Sequence, residues 1–205
     1  MKLKLLALTV AMSAIVASGA TNQVAEPLRP CCRPLVAPAH YTDKSLFQLD
    51  STWTSDAGRR IRLGALRGRP QIVAMFFASC QFTCPFTVRD MQRIEAALPQ
   101  NSRTNTGFVL VSFDSERDTP AVLKAYRAKC ELSTQNWTLL RGEPDDVREL
   151  AALLGVVYRK DAQGDFAHSN LITLLNSEGE IVYQEPGINL PVDEMVAQIK
   201  TVSQR

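Results

Sequence analysis

The fold is decided by residues 71–85, which read QIVAMFFASCQFTCP. The first eight residues, Gln71 to Ala78, form an apolar run that is typical of a strand buried on both faces. Pro85 follows at a position that suits the first turn of a helix. The sequence therefore predicts a buried strand that passes through a loop with two cysteines into a helix.

Apolar periodicity and turn residues place the remaining elements along the chain. The predicted helices begin near Pro85, Pro120, Pro144 and Pro191. The predicted strands cover residues 46–49, 61–63, 71–78, 107–113, 137–140, 171–175 and 181–183. Helices that alternate with buried strands indicate the α/β class, with a mixed central sheet flanked by helices. A turn at Asp56 to Gly58 adds an N-terminal β-ribbon over residues 46–63.

The N-terminus has the composition of an export signal. Lys2 and Lys4 give it a positive start, residues 5–16 are mostly apolar, and residues 18–20 are small. We therefore expect residues 1–20 to be a signal peptide that directs the protein to the periplasm or another extracytoplasmic space. The alternative is an N-terminal segment that is retained as an anchor and associates the domain peripherally with a membrane.

The rest of the chain divides into a leader and a domain. Residues 21–44 are rich in proline and lack a periodic pattern, which is typical of an extended linker. Residues 45–205 contain the predicted helices and strands, and we expect them to form one monomeric domain. Removal of the signal peptide takes the formal net charge from +2 to zero. A neutral chain offers no basic surface for nucleic acid, so we expect no nucleic-acid partner.

The cysteine count limits the chemistry of an exported protein. The five cysteines are Cys31, Cys32, Cys80, Cys84 and Cys130. In a small exported protein an even number favours a disulfide framework, but five is odd and the spacing is uneven. At least one thiol is therefore expected to be free, reactive or bound to a metal.

Cys80 and Cys84 form the sharpest motif. They lie between a buried strand and a predicted helix start, where the sites of such sheets gather. Cys84 directly precedes Pro85, and the amides and dipole of a helix N-terminus favour a thiolate there. The three intervening residues allow both sulfurs to reach one point, either as a disulfide or as a metal-binding pair. The alternative is a pair of buried cysteines without a function.

His168 is the third candidate ligand. It lies just before the predicted strand 171–175, and the sequence has only one other histidine, His40. On spacing alone, a surface or core histidine is the alternative to a metal ligand. Two thiolates and one imidazole would suit copper, since sulfur favours Cu(I) and imidazole serves both Cu(I) and Cu(II). Zinc would be expected to recruit a fourth ligand.

Three motifs in this order resemble the Sco/SenC family of copper-binding proteins. Residues 75–85, MFFASCQFTCP, are similar to the family signature with its Cys-x-x-x-Cys-Pro motif. Residues 113–120, FDSERDTP, resemble the family segment that follows the next strand. His168, followed by Ser169 and an apolar strand, resembles the distal copper-ligand histidine. The resemblance runs from about residue 45 to residue 198.

The resemblance implies a thioredoxin-like fold and copper held by Cys80, Cys84 and His168. It also implies delivery of copper to the copper-centre subunit of cytochrome c oxidase, or to another exported copper or thiol protein. The favoured function is thus a copper chaperone or assembly factor. The alternative is an exported thiol–disulfide oxidoreductase that acts through the Cys80–Cys84 pair. A peroxidase-like function ranks last because Thr83 lacks the preceding proline that such sites carry.

Other positions carry weaker expectations. Many family members have an acidic residue where this chain has Ala167, and its loss is expected to change copper affinity rather than the ligands. Cys31, Cys32 and His40 could form a second metal or redox site, although a flexible tail whose cysteines pair with each other or with another molecule is favoured. Cys130, at the end of a predicted helix, is expected to pack in the domain.

Overall fold

A computed structural model describes residues 41–162 and 166–204. The nine strands of these residues are β1 Trp53–Ser55, β2 Arg60–Ile61, β3 Gln71–Phe76, β4 Gly107–Ser112, β5 Trp137–Arg141, β6 Tyr158–Lys160, β7 Phe166–His168, β8 Leu171–Leu175 and β9 Ile181–Pro186. Their α-helices are α1 Cys84–Ala97, α2 Gln100–Thr104, α3 Pro120–Lys129, α4 Pro144–Leu154 and α5 Asp193–Val202. Two short 3₁₀ helices cover Leu46–Gln48 and Leu63–Leu66.

Seven of the strands form one mixed sheet in the order β2-β1-β5-β4-β3-β8-β9. Strands β3, β4 and β5 are parallel, whereas β8 pairs antiparallel with β3 and β9 pairs antiparallel with β8. Strand β1 pairs antiparallel with both β2 and β5. The predicted α/β class, mixed sheet and flanking helices are confirmed.

The two central parallel strands position the loops that matter for function. All six residues of β3 and all six of β4 are buried, as apolar runs in a parallel sheet require. Phe76 lies opposite Ser112 in the parallel register, so both strands end at the same edge of the sheet. The cysteine loop after β3 therefore lies beside residues 113–119, which follow β4.

Proline and glycine bound the helices as their backbone preferences dictate. Pro120 and Pro144 are the first residues of α3 and α4. Thr119 caps α3, since its side chain accepts a hydrogen bond from the amide of Val122. Gly155 ends α4 with a left-handed φ of 75°, a conformation that glycine adopts without steric cost.

Several boundaries differ from the sequence expectations. The strand predicted at residues 46–49 is a 3₁₀ helix, because the Ser45 side chain accepts from the Phe47 amide and caps a tight turn. The ribbon is accordingly confined to β1 and β2. The β6–β7 hairpin and helix α2 were not predicted. Helix α5 begins at Asp193 rather than at Pro191.

Several predictions concern the N-terminal part of the chain. The predicted signal peptide and residues 21–40 of the leader, with Cys31, Cys32 and His40, lie outside the described residues. Across the two described ranges, no helix combines the length and the apolar character needed to cross a membrane.

Candidate metal centre

The two motif cysteines lie where β3 passes into α1. Cys84 is the first residue of α1, and Cys80 lies in the preceding loop, where its amide donates to the carbonyl of Phe77 at 3.1 Å. Both side chains are buried, with residue exposures of 9% for Cys80 and 1% for Cys84. The loop therefore turns both sulfurs toward the protein.

His168 reaches the cysteines from a separate hairpin. It is the last residue of β7 and pairs with Tyr158 of β6, whereas the sequence placed it in a loop before β8. Its ring centroid lies 5.0 Å from that of Phe113 and 6.0 Å from that of Phe77. Both phenylalanines are buried, so aromatic packing fixes the histidine over the end of the sheet.

The structure brings the three predicted ligands together. One ligand atom from each of Cys80, Cys84 and His168 lies within 4.8 Å of the others, and within the described residues no other such group of three occurs. Cys84 Sγ lies 3.5 Å from His168 Nε2. The cluster contains no carboxylate.

Hydrogen bonding orients the imidazole. His168 Nδ1 lies 3.1 Å from the carbonyl oxygen of Ser169, which can only accept, so Nδ1 carries a proton. In the neutral ring Nε2 then has the free lone pair. Nε2 is also 3.3 Å from Thr83 Oγ1, so it faces the N-terminus of α1. The nitrogen that a metal would need therefore faces the sulfurs.

The two thiols have unequal acidities. A hydrogen bond with the Cys84 thiol lowers the pKa of Cys80 to about 3, against the opposing effect of burial, and His168 assists. The same hydrogen bond and deeper burial raise the pKa of Cys84 far above its usual range. The sequence favoured a thiolate at Cys84 because of the helix start. The structure favours Cys80, because Cys84 is buried more deeply and acts as the donor.

Burial and hydrogen bonding act in opposite directions on the pKa of His168. Burial lowers the pKa of His168, but hydrogen bonding to Cys80 and to the Ser169 carbonyl, with the charge of Cys80, raises it overall. In the metal-free protein, contact with Cys80 therefore makes the His168 ring easier to protonate than burial alone would allow.

A cavity connects the site with solvent. Its volume is about 710 Å³, and Cys80, His168, Phe77 and Phe166 contribute to its lining. Phe82, between the two cysteines in sequence, lies at this cavity and is 81% exposed. A small molecule or a side chain of another protein can therefore approach Cys80 without opening the core.

The donor set fits copper. Two cysteine sulfurs and one imidazole are soft or intermediate ligands, and a buried cluster without carboxylates does not suit magnesium or calcium. Cys130 is not part of it: it follows α3 as the C-terminal cap, and its carbonyl accepts from Gln92 at 2.9 Å.

Two residues that are not predicted ligands support the site. Phe113 packs on His168, and Asp118 accepts a hydrogen bond from the amide of Ala78 in the cysteine loop. Both belong to residues 113–120, whose family resemblance was the available signal. Only the parallel register of β3 and β4 shows why that segment lies beside the cysteines.

The acidity of Cys80 predicts an unusual alkylation profile for the reduced, metal-free protein. Because the pKa of Cys80 is lowered, its thiolate persists at neutral and mildly acidic pH. The thiolate is protonated only as the pH falls toward that pKa. We expect the alkylation rate of Cys80 to change by less than about threefold between about pH 5 and pH 8. Reduced glutathione, as an ordinary thiol, should lose about tenfold per pH unit over that range. Peptide mapping after iodoacetamide treatment measures this, and a Cys80 profile parallel to glutathione would contradict it.

Fold and site together define a class: a thioredoxin-like α/β domain with two cysteines and a histidine at the carboxyl edge of its sheet. Residues 39–204 match the sequence model of the SCO1/SenC family. Because that match covers most of the chain, the protein belongs to the SCO1/SenC family.

Individual relatives agree with this assignment. A protein of Stutzerimonas stutzeri that is named for copper binding is 29% identical over 120 residues. The aligned region spans 57% of either chain, so the chain covers little more than half of that relative.

Two solved structures share the fold. Arabidopsis thaliana ScoI with copper bound has a TM-score of 0.66 at 24% identity, over 76% of this chain and 97% of that one. BsSco, described as a member of the Sco family of cytochrome c oxidase assembly proteins, has a TM-score of 0.66 at 24% identity. That similarity covers 75% of this chain and 91% of BsSco.

Proposed function

We propose that the protein binds copper through Cys80, Cys84 and His168 and passes it to an acceptor protein. The observation that carries this proposal is the meeting of three donor atoms within 4.8 Å, from a loop, a helix start and a separate hairpin. Two sulfurs suit Cu(I), and the imidazole allows Cu(II) to bind as well. The copper-bound relative and the relative named for copper support the choice of metal.

The acceptor we propose is the copper-centre subunit of cytochrome c oxidase or another exported copper or thiol protein. The description of BsSco as a cytochrome c oxidase assembly protein supports this choice. An extracytoplasmic location follows from the predicted signal peptide at residues 1–20. A transferred metal needs an accessible ligand, and the cavity beside Cys80 supplies one.

A thiol–disulfide oxidoreductase is the second candidate. The lowered pKa of Cys80 and its access to solvent favour it, since the thiolate is the attacking species in disulfide exchange. The Cys80 thiolate would attack a substrate disulfide, and Cys84 would then displace the bound sulfur and leave a Cys80–Cys84 disulfide. This exchange reaction needs no metal and uses His168 only to stabilise the Cys80 thiolate.

Copper and a Cys80–Cys84 disulfide should exclude each other, because a sulfur bonded to sulfur is no longer a thiolate ligand. In the described residues Cys80, Cys84 and Cys130 are free thiols. We expect about one Cu(I) per reduced chain and none after oxidation of the pair. Metal analysis after anaerobic loading, with mass spectrometry of the oxidised peptides, measures both.

Two outcomes would contradict this expectation. A reduced protein that retains no copper would remove the copper proposal and leave the oxidoreductase. An oxidised protein in which Cys80 or Cys84 pairs mainly with Cys31, Cys32 or Cys130 would show that the two motif cysteines do not form one site.

A further inference from the structure

One buried acidic group near the site is not among the candidate metal ligands. Asp118 is 1% exposed and lies just before helix α3. Its Oδ2 accepts a hydrogen bond of 2.9 Å from the amide of Ala78 and another from the hydroxyl of Ser112. Burial of a carboxylate costs free energy unless its oxygens accept hydrogen bonds, so the contacts of Asp118 need an explanation.

The contact with Ala78 acts on the cysteine loop. Strand β3 ends at Phe76, and the amide of Ala78 has left the sheet ladder. Asp118 supplies the acceptor that this amide would otherwise lack. Two residues later, the amide of Cys80 donates to the carbonyl of Phe77 at 3.1 Å. One end of the turn that carries Cys80 is thus held by a side chain 40 residues away in sequence.

Asp118 is itself held firmly. Its amide donates to the carbonyl of Asp114 at 3.0 Å, and its successor Thr119 caps α3. The Ser112 hydroxyl that donates to Asp118 accepts in turn from the amide of Asp114 at 3.0 Å. The guanidinium of Arg117 closes the turn by pairing with the carboxylate of Asp114. The carboxylate therefore projects from a rigid turn.

We propose that Asp118 is the positioning residue of this site: by holding the amide of Ala78 it fixes where the Cys80 sulfur lies relative to Cys84 and His168. Residues 113–120 then have a physical role, because they anchor the cysteine loop to the end of β4. This inference deepens the proposed function, since it concerns the same three donors.

The acceptor oxygen of Asp118, rather than its charge, performs this role. Both contacts are hydrogen bonds to the single atom Oδ2. Burial raises the pKa of Asp118, whereas these two hydrogen bonds act in the opposite direction. An asparagine side chain has the same shape and retains one oxygen that can accept from Ala78 and Ser112. Asp118→Asn should therefore keep the position of the Cys80 sulfur relative to Cys84 and His168, and Asp118→Ala should lose it.

The test uses the equilibrium between the Cys80–Cys84 dithiol and its disulfide in a glutathione buffer. Two thiols held side by side close a disulfide readily, so a loosened loop lowers the equilibrium constant for closure. We expect Asp118→Ala to lower that constant at least about tenfold, equivalent to about 30 mV for this two-electron couple. Asp118→Asn should stay within about threefold of wild type. Asp145→Asn, at an 86% exposed side chain on α4, is the matched control and should not change it.

The readout separates positioning from a purely structural role, and it needs no copper. A wild-type constant in Asp118→Ala, whatever its melting temperature, would overturn the proposal, as would an Asp118→Asn variant as impaired as Asp118→Ala. If Asp118→Ala does not fold, Ser112→Ala replaces it. Loss of the hydrogen bond from Ser112 to Asp118 should lower the constant about fivefold, beyond the threefold range allowed for Asp118→Asn. A wild-type constant in that variant would also overturn the proposal. If the protein binds no copper but the variants change the dithiol–disulfide equilibrium as expected, only the copper function is refuted. The positioning role of Asp118 then stands.

Discussion

A Cys80→Ser variant is expected to lose Cu(I) affinity by at least about a hundredfold. Outer-shell substitutions at metal sites already cost about 10- to 100-fold, and this change removes a direct donor. The serine hydroxyl is a harder ligand that does not ionise near neutral pH, and it leaves one sulfur and one imidazole for the metal. Cys80 lines the solvent-connected cavity, and serine has nearly the same size as cysteine, so the fold should persist. Competition with a Cu(I) chelator of known affinity measures the loss.

Cys130→Ser is the matched control for this substitution. Cys130 is a free thiol that lies outside the three-donor cluster, so its replacement should leave Cu(I) affinity within about threefold of wild type. Equal losses in the two variants would show that copper does not bind at the predicted cluster. Wild-type affinity in Cys80→Ser would show the same.

His168→Ala should lower Cu(II) affinity by about a hundredfold and Cu(I) affinity by less. Cu(II) depends more on nitrogen donors, whereas two sulfurs can still hold Cu(I). The Cys80–Cys84 disulfide should form in this variant, because the imidazole is no part of that bond. The ring packs on Phe113 and Phe77, so the free energy of unfolding should fall by about 1 kcal/mol. Titration with both copper states and chemical denaturation measure these effects.

The other histidine provides the comparison. His40→Ala should match wild type in both copper titrations if the described cluster is the metal site. An unchanged Cu(II) affinity in His168→Ala, together with impaired thiol exchange, would favour the oxidoreductase. A larger loss in His40→Ala would instead favour a site formed with Cys31 and Cys32.

The sequence predicts the central sheet well because the strongest patterns lie there. The apolar run from Gln71 identifies β3 as buried on both faces, and Pro120 and Pro144 mark the helix starts. Short segments are less informative. Strands β6 and β7 have three residues each, too few for a periodic pattern. The apolar residues 46–49 suit a strand or a tight helix equally, and the Ser45 cap decides between them.

The candidate ligands were predictable by residue type and motif, but the residues that hold them in place were not. His168 could be named from its resemblance to the family ligand, whereas its place on β7 and its contact with Phe113 depend on a hairpin that the sequence did not indicate. Asp118 could be named only as part of residues 113–120, the segment that resembles the family. Its bond to Ala78 spans 40 residues and follows from the parallel pairing of β3 with β4. Local patterns carry no information about such contacts.

The most direct test of the account is X-ray absorption at the copper edge of the reduced protein loaded with one equivalent of Cu(I). We predict two sulfur neighbours and one imidazole nitrogen in the wild type, and loss of only the imidazole contribution in His168→Ala. A spectrum with fewer than two sulfur neighbours, or an imidazole contribution that survives in His168→Ala, would contradict binding through Cys80, Cys84 and His168.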